Sequence, residues 1–131
     1  MIGVDSSIII DILRNNQIAV KKLSNLPSDE LCTSEAVVYE VMFGIFAFNY
    51  MEERLKQFKA LLDSFAYVFP IDRKSSLKSA EINGKLSASG KMIGHTDALI
   101  AGSLMANGCK MFVTRNAKDF KNIAEFEVIS C

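Results

Sequence analysis

The chain carries no surplus of either charge, since 15 lysines and arginines face 15 aspartates and glutamates in 131 residues. A global field drawing it onto nucleic acid is thereby excluded, and any such contact has to be local. Cysteines are few and unpatterned. Cys32, Cys109 and Cys131 stand far apart with no C-x-x-C spacing, which argues against a zinc site or a disulfide framework. Cys32 and Cys109 are expected as small buried hydrophobes and Cys131 as an exposed thiol. No apolar stretch, the run from Val41 to Phe48 included, approaches the roughly 20 residues of a spanning helix, so no membrane span is expected. Met1-Ile2-Gly3-Val4 passes directly into Asp5 with no basic segment or long apolar stretch before it. No secretory signal is expected, and the cytoplasm is the expected location. Internal repeats, linkers and low-complexity segments are missing too.

What is present is core material. Half of the residues are hydrophobic and 23% are charged, enough to fold and the wrong balance for disorder. The length suits a single domain over residues 1–131.

Ile2 to Val4 reads as a short buried strand, with Asp5 at its junction with a helix over Ser6 to Arg14 that Asp5 or Ser6 can cap. A helix from about Gln17 to Leu26 stops before Pro27, and Glu30 to Thr33 forms a strand. Thr33 or Ser34 caps the next helix, from Glu35 through Gly44 toward Asn49. Further elements are a helix over about Glu52 to Ser64 and a strand over Ala66 to Ile71, with Pro70 at its end or on an edge. A helix over about Lys74 to Ser89 and a loop from Gly90 to Gly94 follow. A helix over Thr96 to Ala106, capped by Thr96, ends at the left-handed Asn107-Gly108. Strands over Met111 to Thr114 and Phe126 to Ile129 flank a turn through Arg115 to Asp119. Short apolar strands alternating with helices imply an α/β fold with parallel pairing and helices on both faces. In such sheets ligands gather beyond the carboxyl ends of the strands.

Three acids fall where that geometry makes them informative. Asp5 ends a strand, although it has an ordinary reading as a helix cap. Glu40 interrupts the stripe Val37, Val41, Gly44 and Phe48; a carboxylate there needs a partner unless it reaches solvent at the stripe's edge. Asp97 shares a face with Ile100, Ala101 and Leu104 and lies in a first turn, where the helix dipole favours negative charge. Carboxylates brought close together resist joint ionisation unless a cation neutralises them. Oxygen ligands suit Mg²⁺ or Mn²⁺, whereas the single His95 and scattered cysteines offer zinc nothing. Asn116 or Asp119, after the strand ending at Thr114, can supply a fourth oxygen; both also suit an ordinary polar turn.

Four segments together carry a family resemblance. They are Asp5-Ser6-Ser7-Ile8-Ile9-Ile10-Asp11-Ile12-Leu13, Tyr39-Glu40-Val41-Met42-Phe43-Gly44, Ile93-Gly94-His95-Thr96-Asp97-Ala98-Leu99-Ile100-Ala101 and Val113-Thr114-Arg115-Asn116-Ala117-Lys118-Asp119-Phe120. Over essentially the whole chain the sequence resembles PIN-domain proteins, above all the VapC-type ribonuclease toxins of toxin–antitoxin pairs. The resemblance implies a PIN-like three-layer α/β/α fold with a central, mainly parallel sheet of about four to five strands. It places Asp5, Glu40 and Asp97 on the family's first three acidic positions, with Asn116 or Asp119 at the fourth. Ser6-Ser7 departs from the family's usual Thr-Asn, keeping a hydroxyl at Ser6 and losing the amide.

The implied activity is Mg²⁺- or Mn²⁺-dependent hydrolysis of RNA phosphodiester bonds, with Glu40 as ligand or as general base. Ser6, Arg14, Lys91, Arg115, Lys118 and Lys121 are candidate RNA contacts, although surface lysines commonly only solvate a face. The expected partners are RNA, a cognate antitoxin and a second copy of the chain. The segment from Val37 to Phe48, apolar on more than one face with Phe43, Ile45 and Phe46 off the Glu40 stripe, is the candidate docking surface unless the core buries it. Two rivals stand beside this reading: a PIN-like module that binds without cutting, and a receiver-like signalling domain. The second needs paired early acids and a mid-chain strand-end aspartate, and the segment from Val41 to Leu62 contains no aspartate.

Overall fold

A computed structural model describes residues 1–48 and 51–131. Ile2–Val4 forms strand β1, buried throughout, and Asp5 caps helix α1 (Ser6–Leu13) by accepting the Ser6 amide. Asn16 caps α2 (Gln17–Ser24), accepting from Ile18 and Ala19. A 3-10 turn over Ser28–Glu30 leads into β2 (Leu31–Ser34). Of the two expected caps it is Ser34 that starts α3 (Glu35–Ala47), its hydroxyl accepting from Ala36. The expected continuation toward Asn49 lies outside the described residues. Helix α4 (Glu52–Ser64) precedes β3 (Tyr67–Phe69), which stops before Pro70 as a residue lacking an amide proton requires.

Helix α5 (Arg73–Ala88) starts on an Asp72 cap. Helix α6 (His95–Ala106) corrects one expectation: Gly94 is its cap, no side chain caps it, and Thr96 sits inside the first turn. Its far end is as expected, with Gly108 at φ 85°. Strand β4 (Met111–Thr114) is followed by a second correction, because the expected turn winds into a short helix, α7 (Ala117–Phe120), before β5 (Glu127–Ser130).

The five strands run in the order β3-β2-β1-β4-β5, every pair parallel. Parallel neighbours need crossovers, and the helices supply them. A receiver-like doubly wound sheet would order its strands 2-1-3-4-5, so this topology is not that rival's. The chain starts at the centre, builds outward through β2 to β3, then returns to build the other side. The direction of winding therefore reverses between β1 and β4, and at that point the carboxyl ends of an α/β sheet open a crevice.

The core fills both faces. Phe58, Phe112, Phe120, Ile8, Ile9, Ile100 and Leu104 are among its fully buried side chains. Helices α5 and α6 pack with unusual closeness: a Cβ on Gly102 would overlap Ser79 Oγ and stand 2.6 Å from the Ser79 backbone nitrogen. Cys32 and Cys109 are buried as expected, whereas Cys131 is only half-exposed and leans on the core. Among the described residues no helix is long and apolar enough to cross a membrane.

Candidate functional site

Asp5 leaves β1 at the reversal point, its backbone amide donating to Val113 of β4 at 3.0 Å. Its side chain is 3% exposed, and burying a carboxylate is costly unless its oxygens are bonded. Here both are. Oδ1 accepts from the Ser6 amide at 2.8 Å, while Oδ2 accepts from Ser7 Oγ at 3.0 Å and Thr114 Oγ1 at 2.6 Å. The two hydroxyls are themselves anchored, since the Arg115 amide donates to Ser7 Oγ at 3.1 Å and the Asn116 amide to Thr114 Oγ1 at 3.0 Å. The loop from β4 to α7 is thus fastened to Asp5 through two hydroxyls. The reading of the sequence did not single out Ser7 or Thr114 for the site. Thr114's place at the carboxyl end of the strand beside β1 was the available signal, and Ser7 offered none beyond its neighbour's role.

Glu40 joins from α3. Ser6 Oγ donates to its Oε1 at 2.9 Å and lies 3.4 Å from Asp5 Oδ1, bridging the two carboxylates. The expected stripe needs correcting: Val37 and Val41 are buried with Ile45, whereas Phe48 is exposed, so Glu40 stands at the flank of the inward face. It is half-buried there. Burial raises its pKa and the Asp5 charge adds to that, partly offset by the Ser6 hydrogen bond.

Asp97 enters from the first turn of α6, its Oδ2 3.7 Å from where a Cβ on Gly94 would stand. Burial first, then the charges of Asp5, Glu40 and Asp119, push it up to about 6. Asp119, on α7, is close enough for its charge to act on Asp97. Asn116 sits at the α7 cap position, exposed, with its side chain capping nothing.

The candidate cations are spread more widely. Arg14, Lys91, Lys118 and Lys121 are exposed. Arg115 is partly committed, its Nη1 lying 2.6 Å from Oδ1 of the buried Asp11. An open groove of about 570 Å³ runs from Ser6 and Glu40 between α1, α3 and α4, lined by Ile10, Arg14, Phe43, Phe48 and Arg54. Arg54 went unnoticed in the sequence because nothing local distinguishes it from the other charges of α4.

The donor set suits a hard divalent cation in kind, being carboxylate oxygens whose mutual repulsion already shows at Asp97. Its geometry is open, since among the described residues no three His, Cys, Asp or Glu side chains are drawn together into a metal-holding group.

A family model for the PIN domain matches residues 2–126. This chain belongs to the PIN-domain family. The PIN domain is 25% identical over 122 residues to a tRNA(fMet)-specific endonuclease VapC of Shigella flexneri, covering 91% of this chain and 89% of that one. Its fold matches VapBC2 from Rickettsia felis, solved bound to a promoter DNA fragment, with a TM-score of 0.86 at 21% identity over 100% of this chain and 99% of that one. FitAcB from Neisseria gonorrhoeae gives a TM-score of 0.83 at 24% identity over 99% and 97% of the two chains. The expected three-layer α/β/α PIN fold is therefore borne out, with five strands and an entirely parallel sheet.

Proposed function

We propose that this PIN domain, acting as one unit over residues 1–131, is a metal-dependent endoribonuclease and the toxin of a type II toxin–antitoxin pair in the cytoplasm. The observation that carries the reading is the bridge Ser6 makes between Asp5 and Glu40 at the reversal point of the sheet, with Asp97 near enough to feel both charges. The names of its relatives, an endonuclease VapC and a VapBC complex among them, point the same way.

Asp5, Glu40 and Asp97 would hold Mg²⁺ or Mn²⁺, with Asp119 or Asn116 adding an oxygen; when bound, the cation would lower the pKa of an attacking water and stabilise charge on the phosphoryl oxygens. Thr114 and Ser7 fix the orientation of Asp5 in this scheme. Ser6 aims Glu40, which is either a ligand or the base that takes the proton of the attacking water. Arg14 and Arg54, which line the groove beside Glu40, and the exposed Lys91, Lys118 and Arg115 are the proposed phosphate contacts. The groove beside Glu40, walled by the exposed Phe43 and Phe48, is the proposed seat for an antitoxin, and the aromatic surface of α3 is available to a second copy of the chain.

The test is cleavage of structured RNA by the purified protein with Mn²⁺, Mg²⁺ or neither. Cleavage that needs the metal and falls at least about 100-fold in Asp5→Asn supports the reading. Metal-independent cleavage, or none in any condition, would overturn it and favour the module that binds without cutting.

A further inference from the structure

Two thiols that the acid site does not use meet across the central strand. Cys32 belongs to β2 and Cys109 lies two residues before β4, so they approach from the two sides of β1. The register pairs Cys32 with Gly3, and a Cβ on Gly3 would stand 3.3 Å from Cys109 Sγ and 2.7 Å from Leu104 Cδ1. The missing side chain at Gly3 thus leaves the space in which the thiols face one another. Their Sγ atoms lie 3.8 Å apart, with the Cys32 thiol donating to Cys109. Cys109 Sγ also lies 3.2 Å from the carbonyl oxygen of Met111 and 3.5 Å from that of Met1. Both cysteines are buried, yet Cys109 directly follows the exposed left-handed Gly108 that ends α6. A disulfide requires an Sγ–Sγ distance near 2.05 Å, so the sulfurs must approach by about 1.8 Å, and because strands on either side of β1 stand roughly 9–10 Å apart the turn that carries Cys109 moves with the side chains.

We propose that Cys32 and Cys109 form a peroxide-oxidisable dithiol that closes into a disulfide across β1, tying β2 to the entry of β4. Of the two, Cys109 reacts first, because the hydrogen bond it accepts from Cys32 lowers its thiol to about 7 and correspondingly raises that of Cys32. A peroxide is small enough to enter by local opening of the turn at Gly108. The Cys109 sulfur attacks one peroxide oxygen, the O–O bond breaks, and the departing oxygen takes the thiol proton and leaves as water or an alcohol. Cys109 is then a sulfenic acid. The Cys32 sulfur attacks the Cys109 sulfur, the S–O bond breaks, and hydroxide leaves as water with the Cys32 proton. With hydrogen peroxide, two thiols lose two hydrogens and one peroxide becomes two waters.

The full chain is treated with hydrogen peroxide, denatured, alkylated with iodoacetamide and weighed by mass spectrometry. The expected product is a monomer carrying one alkyl group, on Cys131, where the dithiothreitol-reduced chain with its three cysteines carries three. Peptide mapping should link Cys32 to Cys109, and dithiothreitol should reverse the link. Cys131→Ser should retain the link and Cys32→Ala should lose it. Because the wild-type peptide map is decisive alone, a Cys32→Ala chain that fails to fold costs the test nothing. Three alkylated thiols after oxidation, a link through Cys131, or an irreversible sulfinic acid at Cys109 would each overturn the proposal.

Discussion

Helices α3 and α6 each bring one carboxylate to the site, and both are rich in apolar residues around their circumference, yet they end in different surroundings. Helix α6 lies between the sheet and α5 and buries Ala98, Ile100, Ala101, Gly102, Ser103 and Leu104. Helix α3 buries Ala36, Val37, Val41 and Ile45 and leaves Tyr39, Phe43 and Phe46 exposed, with Phe48 exposed beyond its end. A helix apolar all round is normally covered on both sides. For α6 the cover is this chain's own α5, whereas Tyr39 and Phe43 of α3 stay exposed, stacked on one another with ring centroids 6.1 Å apart. An exposed apolar patch of that kind is what the proposed partner surface would need. The two helices differ accordingly: α6 holds its acid between the sheet and α5, and α3 carries its acid beside the exposed Tyr39 and Phe43.

The contact between α5 and α6 gives the largest expected effect. Gly102→Ala gains about 1 kcal/mol in helix propensity, but its methyl group meets the Ser79 backbone, and overpacking of that kind costs about 1–3 kcal/mol or more. Because the overlap is with backbone atoms that cannot step aside, the upper end of that cost applies and a net loss of about 2 kcal/mol is expected, measured by urea unfolding. A neutral or stabilised variant would break the picture of α6 as a tightly covered helix.

Asp97 comes next. Its folded pKa of about 6 lies above the ordinary aspartate value of 3.8, so the folded state holds the proton more tightly than the unfolded chain. Between those two values stability falls as pH rises, and above pH 6 the full cost of the buried charge is present. Asp97→Asn should therefore stabilise the metal-free protein at pH 7.5 by about 1 kcal/mol, a figure reduced for partial solvent exposure, with no gain below pH 4. Urea unfolding in chelator at both pH values reads it; equal effects at both would deny the charge crowding.

The smallest effect sharpens the other half of the comparison. Phe43→Ser should change unfolding free energy by less than about 0.5 kcal/mol, as truncation of a side chain 55% exposed predicts. A loss of about 3–5 kcal/mol would mean that the aromatic face of α3 is packed against this chain's own core.

Much of this was legible in the sequence, for identifiable reasons. Asp5, Ser34 and Gly108 carry local signals, a cap at a strand end or a left-handed stop; local rules locate Gly108 and narrow the caps to Asp5 or Ser6 and Thr33 or Ser34. Hydrophobic periodicity placed every strand within a residue or two. Glu40 does reach the Ser6 hydroxyl beside Asp5, but its stripe differs from the expected one, because a helix apolar on several faces gives periodicity no single direction to choose; the inward face is Val37, Val41 and Ile45. The hydroxyl of Thr96 suits a cap, but the chain enters the helix one residue earlier, at His95, and leaves Gly94 in that place. The Thr114–Asp5 bond joins residues 109 positions apart, and no local rule reaches so far. Burial of Asp97 among like charges is likewise a property of the assembled crevice.

The central claim is that the crowded acids are a cation site, and the measurement that tests it most directly is calorimetric titration of Mn²⁺ into the wild-type and Asp5→Asn proteins at pH 7.5, repeated at pH 5. Saturable binding in the wild type that is lost in Asp5→Asn and weakens at pH 5 as Asp97 takes up its proton is the predicted result. No binding in the wild type, or equal binding by both proteins, would contradict it.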